Sequence, residues 1–291
     1  MRAPLFALLV LAGCAAPGAT EVAGEAPRSQ FALSIPIEVK RPEGPGPFPA
    51  VVILHDCSGL GPHSSGAPRR WSHVLVPLGY VVLIPDSFST RGFPAGVCTD
   101  PSPERRDVSP AHRVRDAYEA LAYARSLPYV DGRHVGVMGG SHGGSTTLAA
   151  MAAPQEGYVS DDHPGFAAAL ALYPGCGARY GEWEPRGTGA YRPLAPLRIL
   201  AGEKDDWTPA APCERLAERS QAAGYPVTIK VYPGAQHGFD GTSPVHYDAR
   251  RVNGNAPGGR GATTGGDPAA RADATAEVKA FFGRYLHDPA R

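Results

Sequence analysis

The chain has 291 residues, of which 43% are hydrophobic, and its 28 Lys and Arg balance 28 Asp and Glu at a formal net charge of zero. That length can bury a sizeable core within one domain. The balanced charge leaves no basic excess to neutralise phosphates, so nucleic acid is not an expected partner.

The first twenty residues, MRAPLFALLVLAGCAAPGAT, carry one arginine, an apolar stretch from Ala3 to Ala12, and then small residues. This is the outline of a secretory signal, too short to span a bilayer. Leu11-Ala12-Gly13-Cys14 resembles the lipobox of bacterial lipoproteins, in which the cysteine is lipidated and becomes the new N-terminus. Residues 1–28 are therefore expected to be leader and tether, and residues 29–291 a single domain. The protein is expected in the periplasm or cell envelope, touching membrane only through a lipid on Cys14. An oxidising compartment changes how the other four cysteines are read. Four cysteines allow three connectivities, and chain order favours Cys57–Cys98 with Cys176–Cys213. No CxxC or HxxxH spacing accompanies them, so zinc is not expected.

Residues 31–39 alternate weakly and suggest an edge strand, closed by the turn-rich RPEGPGPFP. The run AVVIL at 50–54 is a strand buried on both faces. Residues 71–78 read as helix and YVVLIP at 80–85 as a second buried strand. Ser109-Pro110 looks like a helix start, with Val114, Ala117, Tyr118, Leu121 and Ala124 on one face. HVGVM at 134–138, AAALALY at 167–173, LRILA at 197–201 and VTIKVY at 227–232 complete six buried strands, with helical sequence directly after the first and third of these four. Gly241 to Asp267, rich in Gly, Ala and Arg, reads as one long loop, functional or mobile. Asp267-Pro268 then caps a last helix whose buried stripe is Ala270, Ala274, Val278, Phe281 and Tyr285. Strands alternating with helices predict an α/β fold with a mostly parallel, doubly wound sheet and helices on both faces.

The stretch VGVMGGSHGGSTT at 135–147 sets four glycines around one serine, between a predicted strand and a helix. Gly139-Gly140-Ser141-His142-Gly143 fits G-x-S-x-G, the nucleophile elbow, whose glycines make room for a strained turn. No lysine follows as in a phosphate-binding loop. A nucleophilic serine needs a carboxylate and a histidine later in the chain, in that order. GEKDDWTP follows the fifth buried strand and YPGAQHGF the sixth, which supplies Asp205 and His237 at strand ends. Spacing favours Asp205 over Asp206 as the orienting acid. The oxyanion hole would take one N–H from His142 and one from Cys57 in the loop HDCSG. A Cys57–Cys98 bridge would hold that donor still.

These triad blocks, with FPAVVILHDCSGL and GYVVLIPDSFSTRGF, resemble the dienelactone hydrolase family of α/β-hydrolases from about Phe31 to Leu286. The family usually has cysteine at the elbow; serine here points toward ordinary ester hydrolysis. The resemblance further implies an acidic residue near the nucleophile, Asp56 in this chain, and arginines that hold a substrate carboxylate, with Arg91 near one such position. The expected function is a serine hydrolase acting on small-molecule carboxylic esters, with no metal or organic cofactor. A prolyl-oligopeptidase-like peptidase and a silent ligand-binding envelope protein are the alternatives. The natural ester and the oligomeric state are not legible.

Overall fold

The computed structural model describes residues 33–155, 157–160 and 164–287. The leader and Cys14 lie outside the described residues. Seven strands form the main sheet: β1 (Ile37–Lys40), β2 (Phe48–Leu54), β3 (Val81–Pro85), β4 (Val130–Gly140), β5 (Ala168–Leu172), β6 (Leu197–Gly202) and β7 (Val227–Tyr232). Their order is β1-β3-β2-β4-β5-β6-β7. Only β1 runs antiparallel, against β3, and the other pairings are parallel. The order reverses direction beside β2 and β4, the kind of switch point at which open α/β sheets form a crevice.

Two apolar layers hold helices to the sheet. On one face α2 (Val114–Ser126), α3 (His142–Met151) and α4 (Ala210–Ala222) cover alternate residues such as Val52, Leu54, Val137 and Ile199. On the other, α1 (Ala67–Leu75) and α5 (Pro268–Leu286) cover Val51, Ile53, Met138 and Leu170. Strands covered on both faces read as continuous apolar runs, which is why β2, β3 and β5 were plain in the sequence. Among the described residues no helix is long and apolar enough to cross a membrane.

Three expectations are corrected. The helix expected at Ser109-Pro110 starts a turn later, at Val114. Ser109 is extended and its hydroxyl meets the His112 ring at 2.8 Å, leaving no cap for a helix there. The stripe of α5 continues from Val278 to Phe282 and Leu286 at a spacing of four, while Phe281 and Tyr285 lie on its flank. Its Asp267 cap is as expected, accepting from the Ala269 and Ala270 amides at 2.9 Å. Finally, the stretch 241–267 is no plain loop. It holds an antiparallel hairpin of β8 (His246–Val252) and β9 (Arg260–Thr264).

That hairpin lacks the apolar alternation of a core strand because β8 has no fully buried residue and the buried positions of β9 are the small or polar Gly261, Ala262 and Thr264. Tertiary ties fix it instead. The Asp206 carboxylate accepts from the Thr263 amide and hydroxyl at 2.8 and 2.7 Å, and Trp207 Nε1 donates to the Val252 carbonyl at 2.8 Å. The Val252 amide donates to the Cys98 carbonyl at 2.9 Å.

Both favoured disulfides are present, Cys57–Cys98 and Cys176–Cys213. They close loops of 41 and 37 residues, each stabilising by about 4 kcal/mol in a chain-entropy account.

Candidate active site

The residues singled out in the sequence meet at the carboxyl ends of β2, β4, β6 and β7. Ser141 stands between β4 and α3 at φ 55°, ψ −117°. A side chain held at positive φ costs roughly 1–3 kcal/mol and needs surroundings that enforce it. The enforcement is visible in the neighbouring glycines. A Cβ at Gly143 would lie 2.0 Å from the Leu54 carbonyl oxygen, and one at Gly139 would lie 2.5 Å from the Gly143 backbone. Strand, turn and helix thus touch through bare backbone, and the serine is pushed out at the apex.

The Ser141 hydroxyl donates to His237 Nε2 at 2.9 Å, and His237 Nδ1–H donates to Asp205 Oδ2 at 2.8 Å. All three side chains are buried. The remaining Asp205 oxygen, Oδ1, accepts the Trp207 and Thr208 amides at 2.9 and 2.7 Å. Asp206 points away to β9, so the two adjacent acids have separate tasks. His142 opens α3, where first-turn amides lack partners within the helix and the dipole favours negative charge. Cys57 lies across the same cleft, its loop bridged to Cys98.

Five groups that sequence reasoning did not single out shape the site. The Thr208 hydroxyl sits 2.9 Å from Asp205 Oδ2 and 3.0 Å from His237 Nδ1, bracing the acid–imidazole bond. The Tyr173 and Trp207 rings pack on the imidazole at 4.7 and 4.9 Å between centroids. Tyr173 is itself fixed by its hydroxyl, which donates to Asp240 Oδ1 at 2.6 Å, while Trp71 Nε1 donates to Asp240 Oδ2 at 2.8 Å. Burial, with Asp240 beside it, pushes the Tyr173 phenol well above its usual pKa, so it stays a donor. Position next to Asp205 could have flagged Trp207 and Thr208; no local pattern marks Tyr173 or Asp240.

The serine opens into a cleft of about 240 Å³ lined by Asp56, Arg70, Trp207 and Arg251 among others. Asp56 lines the same cleft as Ser141, its carboxylate held by the Ser58 amide and the Ser58 and Ser65 hydroxyls. Arg91 is a correction. Its guanidinium grips the fully buried Asp116 carboxylate in a fork at 2.7 and 2.6 Å and also donates to the Ser87 carbonyl. Withdrawing it would leave a buried charge unpaired, so Arg91 is not free to meet a substrate. Arg251 is better placed. It lines the cleft and lies over the Trp207 ring at 4.7 Å; its buried Nε has no hydrogen-bond partner and forms only a loose ion pair with Asp248 Oδ2 at 3.9 Å.

The dienelactone hydrolase family model matches residues 36–286. The chain belongs to the dienelactone hydrolase family. Two relatives each named "Putative carboxymethylenebutenolidase" are 26% identical to it. The one from Methylorubrum extorquens matches over 70% of this chain and 68% of its own length. The one from Synechocystis sp. matches over 75% and 86%. The crystal structure of the apo form of Thermogutta terrifontis esterase 2 superposes with a TM-score of 0.58 at 20% identity, covering 87% of this chain and 91% of that one. At that identity the likeness speaks for the fold, which is the α/β-hydrolase fold. In this dienelactone hydrolase family member the elbow residue is serine.

Proposed function

We propose that the protein is a serine hydrolase that cleaves small carboxylic esters through an acyl-enzyme on Ser141. The observation that carries the reading is the unbroken series from the Ser141 hydroxyl through His237 to Asp205 at the floor of the cleft. As Oγ attacks the ester carbonyl carbon, its proton passes to His237 Nε2. Asp205 holds the proton on Nδ1 and stabilises the imidazolium. The amides of Cys57 and His142 would receive the oxyanion. Collapse breaks the C–O bond, and His237 returns the proton to the leaving alcohol. Water, deprotonated by the same imidazole, then releases the acid. The two disulfides support a protein that works outside the cytoplasm, and the lipobox-like Leu11-Ala12-Gly13-Cys14 supports an anchor of lipid on Cys14.

A fluorophosphonate probe should phosphonylate the wild-type protein once, on the peptide carrying Ser141, with parallel loss of p-nitrophenyl acetate hydrolysis. A protein that only binds ligands in this cleft would leave the probe unreacted, and that result would refute the reading.

Arg251, whose Nε lacks a hydrogen-bond partner, favours esters bearing negative charge. Replacing Arg251 by methionine should lower kcat/KM for a hemisuccinate ester about tenfold, as expected for loss of one charge-assisted contact. Turnover of a neutral ester of equal length should change little. Equal losses on both esters would show that Arg251 only supports the hairpin.

A further inference from the structure

Behind the two expected oxyanion donors lies a charge that the chemistry above does not use. Arg113 precedes α2 and is fully buried. Its guanidinium lies over the Phe88 ring at 5.0 Å, and Nη1 donates to His142 Nδ1 at 2.8 Å. The His142 and His55 rings pack edge-on against the same Phe88 ring, at 5.6 and 4.4 Å. Nε and Nη2 of Arg113 are buried without partners. The acid one turn away, Asp116, is already gripped by Arg91, and among the described residues Arg113 forms no ion pair. A buried cation with one hydrogen bond is costly to the fold, so its retention asks for a reason.

The position supplies one. His142 is the residue whose amide would meet the oxyanion, and its ring is held by Arg113. His55 stands two residues before Cys57; its Nδ1–H donates to the Asp56 carbonyl at 2.8 Å and its Nε2 accepts from the Ser87 amide at 3.2 Å. The guanidinium is thus bonded to the ring of one expected donor residue and shares the Phe88 ring with the histidine two residues before the other. Its field is felt there: burial first, and then the Arg113 charge, keep both imidazoles well below their usual pKa. Arg113 itself is pushed down by burial to about 10 and stays charged at neutral pH. A fixed positive charge in a dry site stabilises negative charge that develops in front of it, with no reorganisation during the reaction.

We propose that Arg113 is a positioning residue for ester hydrolysis, fixing the His142 ring and holding a positive field behind the oxyanion hole. The proposal rests on the serine-hydrolase reading. Acylation and deacylation both pass through an oxyanion, so kcat should fall whichever step is slower.

The test is Arg113→Met, measured for thermal midpoint, kcat, KM and rate of phosphonylation. Loss of an oxyanion donor itself lowers kcat by about a hundredfold or more; for a charge behind the donor, a fall of about tenfold to a hundredfold is expected. KM should stay within about twofold, since ground-state binding is not touched. Phosphonylation should slow in step with kcat, because it too builds charge on oxygen. The thermal midpoint should hold or rise, because an unpaired buried charge has gone. An unchanged kcat in the folded variant would overturn the proposal. If Arg113→Met does not fold, Arg113→Lys decides. A buried lysine loses its proton more readily than arginine, with Asp116, Asp56 and Asp86 acting to retain it and Arg91 to expel it. Its kcat should then fall at alkaline pH where wild-type kcat does not. Superimposable pH profiles would overturn the proposal. Wild-type protein that resists phosphonylation would count against the serine-hydrolase reading itself, before Arg113 is tested.

Discussion

Ser141→Ala should fold as the wild type does and hydrolyse p-nitrophenyl esters about a millionfold more slowly, the scale of nucleophile loss in serine hydrolases. The fold should tolerate the change because the elbow is enforced from outside the side chain. Backbone contacts at Gly139 and Gly143 set the turn, and the Ser141 amide donates to the Leu172 carbonyl at 2.9 Å whatever the side chain. Alanine at φ 55° carries the same strain as serine. An unchanged thermal midpoint with a kcat lowered about a millionfold is the expected pair of readings. Turnover near wild type would mean that another group performs the hydrolysis.

Asp205→Asn should cost about four orders of magnitude in kcat, a loss of the size seen when a triad acid becomes an amide. The hydrogen-bond pattern dictates why. Oδ1 of Asp205 accepts two backbone amides, from Trp207 and Thr208. An asparagine must keep its carbonyl oxygen there, which turns its NH2 toward His237 Nδ1. The imidazole then has to accept at Nδ1 and carry its proton on Nε2, facing Ser141, where it can no longer take the serine proton. Asp206→Asn is the control. That carboxylate ties β9, so its loss should lower stability and leave kcat within severalfold of wild type. A comparison of the two kcat values checks the assignment; equal effects would contradict it.

The parts of the site that were legible in the sequence are those built from local rules. G-x-S-x-G reports a steric need, and bare backbone at 139 and 143 meets it. Strands covered on both faces announce themselves as unbroken apolar runs, so the succession of β2 to β7 along the chain was readable, and with it the strand ends that carry Asp205 and His237. What escaped was decided by contacts between distant segments. In the β8–β9 hairpin β8 has no fully buried residue and the buried positions of β9 are the small or polar Gly261, Ala262 and Thr264, so no apolar alternation marks it, and Asp206, Trp207 and Cys98 hold it from elsewhere. Arg91 was expected at a substrate because the family resemblance put it near a carboxylate-binding arginine; a buried carboxylate on α2 claims it instead. Tyr173 and Asp240 work as a pair 67 residues apart, which no window of sequence displays.

The hairpin's fastening has an evolutionary corollary. Its two legs are tied at Val252, Thr263 and Thr264, the last bridged to His237 itself, and at Asn255, whose Nδ2 donates to the Trp207 carbonyl at 2.9 Å, while residues 256–259 form a largely exposed tip. Lengthening or rewriting that tip would leave the anchored legs and the triad undisturbed. New specificities could therefore be acquired there by insertion, at little risk to the machinery beneath.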